Sequence, residues 1–113
     1  MSQITTHVLD TAKGQPAAGI PITLHQSTGK DQWVKIANGV TNEDGRITNL
    51  IPVAQKLAPG IYRILFETKN YFNSQKVNAF YPYVQVVFEI FDTEHYHVPL
   101  LLNPFGYTTY RGT

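Results

Sequence analysis

The sequence predicts a mainly β protein, built as an antiparallel β-sandwich. First, short runs rich in β-branched and aromatic residues recur along the chain. Second, glycine, proline, asparagine and aspartate separate these runs at a spacing typical of hairpins. Third, almost no stretch shows the periodicity of an amphipathic helix. Together these features favour about seven strands in two packed sheets.

Each predicted element has its own local signal. The sequence NEDG at 42–45 predicts a turn, and its glycine supplies a permissive backbone immediately before Arg46. The pair at 103–104, Asn-Pro, predicts a tight link between the last two strands. Only residues 70–80 are predicted to contain a short helix. The predicted strands cover residues 4–10, 20–28, 33–41, 61–69, 83–91, 95–102 and 105–112.

Composition limits the class of protein and its partners. A chain of 113 residues is expected to form one domain, residues 1–113. The net charge is +1 and no basic run occurs, so neither nucleic acid nor an anionic membrane is an expected partner. The absence of cysteine excludes disulfides and thiolate metal sites. No secretory signal or membrane-spanning apolar run is apparent, so we expect a cytoplasmic location.

Two of the predicted strands carry apolar residues on both faces. Val87 and Phe91 lie opposite the main apolar face of strand 83–91, and Pro99 and Leu101 do the same in the next strand. Exposed apolar patches of this kind usually mark interfaces between proteins. The pattern therefore predicts a homo-oligomer.

The histidines are the first candidates for chemistry. Side chains alternate along a strand, so His95 and His97 point the same way. They could bind a metal, but catalytic zinc requires three protein ligands, and His7 could join only from a distant strand. Acid–base catalysis is the second interpretation, because histidine titrates near neutral pH. His25 is most simply a surface or core residue.

The arginines leave the function open. Arg46, just after the predicted turn, could present a rigid fork to an anion or carbonyl, or could simply be solvated. Arg63 lies in an alternating strand, which favours a structural or interface role for it. No serine-hydrolase elbow, phosphate-binding loop or dinucleotide fingerprint occurs. The residues alone therefore allow acid–base catalysis, metal binding or a binding module.

Three segments of the sequence resemble a known family and so indicate a function. THVLDTAKGQPAAGIPITL (6–24), NEDGRI (42–47) and HYHVPLLLNPFGYTTYRGT (95–113) closely resemble the transthyretin-like 5-hydroxyisourate hydrolases. The tetrapeptide Tyr-Arg-Gly-Ser/Thr, here residues 110–113, is the signature of that family. The resemblance implies a prealbumin-like sandwich of two four-stranded sheets with one short helix. It also implies a homotetramer, in which monomers pair edge to edge through their last strands and two dimers stack around a central channel.

The same resemblance implies an activity. Members of the family hydrolyse 5-hydroxyisourate to 2-oxo-4-hydroxy-4-carboxy-5-ureidoimidazoline in urate degradation, and they need no cofactor or metal. The alternative is a transthyretin-type carrier of small molecules such as thyroid hormones. Carriers of that type lack the two catalytic histidines, the arginine and the terminal tetrapeptide, whereas this sequence has all of them.

The resemblance also implies which residues form the site. In the roles it suggests, His97, with or without His7, moves protons, and Arg46 acts as a fixed positive charge on substrate oxygens. Which histidine is the general base stays open, and so does the role of His95. The implied catalytic residues are His7, Arg46, His97 and Thr113, and the implied substrate-binding residues are His7, Arg46, Tyr110, Arg111 and Gly112.

Overall fold

The structure is a computed structural model that describes residues 2–113, and it contains two β-sheets and one short helix. Nine strands and the helix follow one another along the chain. They are β1 (Ile4–Asp10), β2 (Gln15–Pro16), β3 (Pro21–Gly29), β4 (Gln32–Val40), β5 (Arg46–Ile47), β6 (Gly60–Phe66), α1 (Lys69–Asn73), β7 (Val84–Ile90), β8 (Tyr96–Asn103) and β9 (Gly106–Thr109).

The two sheets confirm the predicted fold class. The second sheet has the order β4-β3-β6-β7, and all of its pairs are antiparallel. The first sheet has the order β2-β1-β8-β9, and the two-residue strand β5 also pairs with β1. One pair departs from the prediction, because β1 and β8 run parallel. These strands lie far apart in the chain, so no hairpin forces them to be antiparallel.

The core lies between the sheets and follows from the alternation of side chains along the strands. In β6, Tyr62, Ile64 and Phe66 are buried while the residues between them reach the surface. Fully burying an apolar side chain of this size contributes about 1.5–3 kcal/mol to folding. The largest apolar side chains with less than 2% exposure are Tyr62, Phe66, Ile4, Ile20, Ile22, Leu24, Ile64, Ile90 and Leu100.

The helix lies in the predicted region but is much shorter than the predicted range 70–80. It ends after five residues because Lys76 adopts a left-handed conformation, with φ of 58°. The amide of Val77 then donates to the carbonyl of Phe72 at 3.1 Å, which closes the end as in a Schellman motif. Within residues 2–113, no helix is long and apolar enough to cross a membrane.

The last strand is also shorter than predicted. The strand β9 ends at Thr109, and one further bridge joins Gly112 to His97 in the same register. The gap between them falls opposite Pro99, which has no N–H to donate to the neighbouring chain. Residues beyond β9 therefore continue along β8 after a short interruption.

The outward-facing apolar residues behave in two ways. Val87 and Phe91 are 57% and 67% exposed, as the sequence pattern indicates. Pro99 is buried instead, which corrects its assignment to an open apolar face. Thr109 donates to its carbonyl at 2.8 Å, and Gly112 packs beside its ring. The chain itself covers this part of β8.

Candidate active site

A tight turn holds Arg46 beside β1. The side-chain oxygen of Asn42 accepts the main-chain N–H of Arg46 at 3.0 Å. Gly45 has φ of 73°, and a Cβ there would collide with the carbonyl oxygen of Val8. Only glycine suits this position. The strand β5 then pairs with β1 so that Arg46 stands opposite His7.

The parallel pairing of β1 and β8 brings Thr5 opposite His97. The hydroxyl oxygen of Thr5 lies 2.8 Å from Nε2 of His95 and 2.7 Å from Nδ1 of His97. The two imidazoles are on the same face, as predicted, with centroids 6.2 Å apart and planes inclined by 22°. One side chain of β1 therefore connects His97 of β8 with His95, which immediately precedes β8.

The C-terminal residues pack directly on His97. The amide of Gly112 donates to the carbonyl of His97 at 2.9 Å. A Cβ at position 112 would lie 2.6 Å from Cδ2 of the His97 ring and 3.1 Å from Cγ of Pro99. Because Gly112 has no side chain, the His97 ring can pack against it. The next residue, Thr113, lines the neighbouring cleft.

These elements enclose a cleft of about 160 Å³. Three of the four predicted catalytic residues meet there, namely Arg46, His97 and Thr113. His7 stands beside Arg46 but does not line this cleft. His95, whose role the sequence left open, also lines the cleft, and the three threonines at positions 5, 6 and 48 were not singled out from the sequence. The full set is Thr5, Thr6, Arg46, Thr48, His95, His97 and Thr113.

Burial and positive charge favour neutral histidines in this region. Partial burial lowers the pKa of His97 most, followed by the charge of Arg46 and then by His95 and His7. The pKa of His7 is lowered by burial and next by Arg46, while Asp44 works in the opposite direction. A neutral imidazole has a lone pair, so it is able to accept a proton at neutral pH.

Tyr110 and Arg111 do not line the cleft but a neighbouring groove that shares His97 with it. Both line a groove of about 260 Å³ against β7. The guanidinium of Arg111 lies 4.2 Å from the centre of the Tyr96 ring and donates to the carbonyl of His95 at 3.4 Å. Arg111 also lines an adjoining groove that shares His95 with the cleft. The substrate-binding roles of Tyr110 and Arg111 stay predictions.

Two further sequence candidates, His25 and Arg63, lie in the second sheet, and a metal site at His95 and His97 would need a third ligand. Arg63 donates to Nδ1 of His25 at 3.4 Å and stacks 4.3 Å from the centre of the Trp33 ring. Across residues 2–113, no group of three histidine, cysteine, aspartate or glutamate side chains is placed to hold a metal ion. His95 and His97 thus have no third ligand of these types nearby.

Thr5 was missed in the sequence although a signal for it was present. It lies two positions before His7 in a strand, and residues two apart share a face of the sheet. Thr6 and Thr48 carry no comparable signal. Their place at the cleft depends on how β1 and the segment after β5 pack together, which alternation alone does not specify.

The fold and the cleft together define a transthyretin-like β-sandwich with a site made of histidine, arginine and threonine. The chain belongs to the HIUase/Transthyretin family, whose model matches residues 4–112. It is 46% identical to 5-hydroxyisourate hydrolase of Mus musculus, over 99% of this chain and 96% of that protein. It is 40% identical to the uric acid degradation bifunctional protein TTL of Arabidopsis thaliana, over 97% of this chain and 37% of that protein.

The chain is similar to solved structures of both transthyretins and 5-hydroxyisourate hydrolases. Transthyretin from Sparus aurata has a TM-score of 0.91 and 37% identity, covering 99% of this chain and 97% of that one. The 5-hydroxyisourate hydrolase of Klebsiella pneumoniae has a TM-score of 0.84 and 34% identity, covering 97% and 98%. Because the fold is common to both, function must be argued from the site.

Proposed function

We infer that this chain hydrolyses 5-hydroxyisourate in urate degradation. Its similarity to the hydrolase of Mus musculus extends over nearly the whole of both chains. The observation that carries the proposal is the cleft in which His97 and Arg46 meet. A potential base and a fixed cation are what hydrolysis of a cyclic amide requires, since water must be activated and an oxyanion must be stabilised.

The proposed reaction uses His97 as the general base. Nε2 of His97 takes a proton as water adds to a ring carbonyl of the substrate, and the new C–O bond makes the carbonyl oxygen negative. Arg46 stabilises that oxyanion, because its guanidinium is always protonated. The C–N bond of the ring then breaks, and the proton on His97 passes to the departing nitrogen. One water is consumed, and the ring opens to a carboxylic acid, which releases a proton to solvent and becomes a carboxylate.

The other site residues have supporting roles in this proposal. Thr113 offers a hydroxyl at the cleft that can hold the attacking water or the histidine. His7, paired with Arg46, orients the guanidinium side of the site and shares in proton transfer. Gly112 keeps the ring of His97 in place, and Tyr110 and Arg111 contact the substrate from the neighbouring grooves. No cofactor or metal takes part.

The direct test follows the ultraviolet absorbance of freshly generated 5-hydroxyisourate. The protein should accelerate its decay over buffer, and His97→Asn should lower the rate by about 10²–10⁴-fold, the usual contribution of a general base. The variant should keep its circular dichroism spectrum and its assembly. No acceleration by the wild type would refute the activity, and normal turnover by His97→Asn would refute the role of His97.

A transthyretin-type carrier is the alternative function. It is favoured by the similarity to the transthyretin structure, which is slightly higher than that to the hydrolase structure. A carrier would bind thyroxine saturably and leave the decay of 5-hydroxyisourate unchanged. Calorimetric titration with thyroxine, run on the same preparation as the decay assay, separates the two functions.

The proposed assembly is a homotetramer, formed as a dimer of dimers. The strands β7 and β9 each form the edge of a sheet, so each has main-chain groups available for pairing with another chain. Val87 in β7 and Phe91 just after it add exposed apolar surface near the β7 edge. Light scattering should give four times the mass of one chain. A single-chain mass at micromolar concentration would contradict this proposal.

The proposed location is the cytoplasm, and the proposed domain spans residues 1–113. The lack of cysteine fits a reducing compartment. The family model covers all but the first few residues and the last one, which supports a single domain. Cell fractionation with an antibody to the chain tests the location, and recovery in a membrane or secreted fraction would overturn it.

A further inference from the structure

The hydroxyl of Thr5 is bonded to two imidazoles at once. Its oxygen is 2.8 Å from Nε2 of His95 and 2.7 Å from Nδ1 of His97. Both distances are short for a hydrogen bond between nitrogen and oxygen. Thr5 is only 4% exposed, so water has little room to replace either bond. The three side chains therefore form one connected unit.

A hydroxyl has a single proton, and this restricts the directions of the two hydrogen bonds that Thr5 makes. Thr5 can donate to only one ring nitrogen, so if it donates to one histidine it accepts from the other. If it accepts from Nδ1–H of His97 and donates to Nε2 of His95, then neutral His97 has its lone pair on Nε2. If the direction is reversed, the lone pair of neutral His97 lies on Nδ1, where Thr5 already occupies it.

Two neighbours favour the first direction. A main-chain hydrogen bond of Thr5 opposes the lowering of the His97 pKa, so the Thr5 backbone acts as an acceptor for the ring. Arg46 lines the cleft, and a guanidinium can only donate. An acceptor beside the Thr5 side of the ring and a donor on the cleft side both favour N–H at Nδ1 and a lone pair at Nε2.

We propose that Thr5 is a positioning residue, whose hydroxyl links His97 to His95 and holds His97 in the tautomer with its Nε2 lone pair facing the cleft. His95 is the end of this chain and accepts at Nε2. The kinetic consequence rests on the proposed function, in which His97 is the general base.

The link also suits the protonated form of His97. When Nε2 takes a proton from water, Nδ1–H already donates to Thr5, so no hydrogen bond has to reverse. Thr5 continues to donate to Nε2 of His95. Arg46 from β5, His95 just before β8 and His7 from β1 all disfavour a positive charge on His97. Glu89 and Arg111 line the groove on the other side of the same residue.

Variants of Thr5 test the link by kinetics. Thr5→Val removes the hydroxyl at nearly constant volume and should lower kcat by about 10- to 100-fold, as removal of a histidine-orienting partner does elsewhere. KM should change much less than kcat. Thr5→Ser keeps the hydroxyl and should stay within about threefold of the wild type, because the hydrogen-bonding group is retained.

The matched control is Thr41→Val. Thr41 is also 4% exposed, and its hydroxyl also joins two groups, accepting from the amide of Ile20 and donating to the carbonyl of Ala17. Its loss should reduce stability without the fall in kcat. Normal kcat in Thr5→Val, or an equal loss in Thr5→Ser, would overturn the proposal.

A spectroscopic measurement tests the link independently of activity. In ¹⁵N-labelled wild type above the pKa of His97, the imidazole shifts should show Nδ1 protonated and Nε2 unprotonated. The opposite assignment would overturn the proposal, even if Thr5→Val does not fold. A wild type without hydrolysis but with this tautomer would refute the function and leave the link intact, whereas an active wild type with the opposite tautomer would do the reverse.

Discussion

His97 is held from three directions at the scale of single residues. Thr5 fixes Nδ1, Gly112 packs against Cδ2, and Arg46 shares the cleft. The resemblance identified His97, Arg46 and Gly112 from their motifs. It did not identify Thr5: alternation places Thr5 on the same face as His7, but its contact with His97 appears only when β8 is placed beside β1.

Removing the charge of Arg46 should change the titration of His97. After burial, Arg46 is the next largest cause of the lowered pKa of His97, so Arg46→Gln should raise that pKa towards its usual value. The acid limb of kcat should then move to higher pH, because His97 is protonated sooner as the pH falls. The variant should also lose about 3–4 kcal/mol of transition-state stabilisation.

Arg46→Lys is the control for that experiment. It keeps the positive charge and should leave the pKa of His97 nearly unchanged, but it loses the rigid fork and part of kcat. NMR titration of the His97 ring measures the pKa in all three proteins. An unchanged pKa in Arg46→Gln would show that Arg46 does not act on His97 in solution.

Gly112→Ala should impair catalysis more than folding. The added Cβ would lie 2.6 Å from the His97 ring, so the ring or the tail must move. A misplacement of about 1 Å can cost about 10²-fold in rate. The control is Gly106→Ala, where the nearest heavy atoms would be 3.9 Å away. Steady-state turnover and thermal unfolding compare the variants, and unimpaired turnover in Gly112→Ala would contradict the close packing.

At the scale of elements, α1 is attached to the first sheet by one hydrogen bond between side chains. The hydroxyl of Tyr71 donates to Oδ2 of Asp10 at 2.7 Å. The other oxygen of Asp10 accepts the amides of Ala12 and Lys13 at 3.0 and 3.1 Å. Asp10 is almost fully buried, and these donors satisfy its carboxylate. A five-residue helix needs such attachment, because it is too short to be stable alone.

Tyr71→Phe should lower the free energy of unfolding by about 1.5–3 kcal/mol at neutral pH, the range for a hydrogen bond to a charged group. Burial, together with the bond to Asp10, raises the pKa of Tyr71 to about 12. A raised pKa stabilises the fold below the usual pKa of 10, and this stabilisation is lost as the pH rises towards 12. Urea unfolding of both proteins at several pH values should therefore show their difference shrinking above pH 10. A constant difference would contradict this account.

The elements differ in how well the sequence predicts them. The turn before Arg46 and the link at 103–104 were predicted because their residues carry specific turn chemistry. The parallel pairing of β1 with β8 was not, because no turn links these distant strands and so no local signal records their relative direction. The early end of α1 also escaped prediction, since it depends on a left-handed lysine, Lys76, which propensity does not indicate.

At the scale of the whole molecule, the cleft is assembled from segments that are far apart in the chain. It combines side chains of β1, β5 and β8 with the residues after β9. Physical patterns in the sequence predicted the sandwich but left the function open between several classes. The resemblance supplied the activity because it rests on long motifs at both ends of the chain, which the folded molecule brings together.

Deleting residues 110–113 should abolish most turnover and leave the fold nearly intact. The deletion removes Gly112 from the His97 ring and Thr113 from the cleft, but the pairing of β9 with β8 ends at Thr109. The decay assay and the melting temperature measure the two effects. Near-normal turnover in the truncated protein would show that these residues do not serve the site.

The missing N–H of Pro99 has a consequence for how the tail is attached. Because the ladder is interrupted there, only the bridge at Gly112 fastens the tail by its main chain to β8 beyond β9. One such bond contributes about 1 kcal/mol, far less than global unfolding costs. Beyond β9 the main-chain attachment of residues 110–113 is therefore far weaker than the fold as a whole. Arg111, stacked on Tyr96 and bonded to the carbonyl of His95, adds the side-chain contacts that keep Gly112 against the His97 ring.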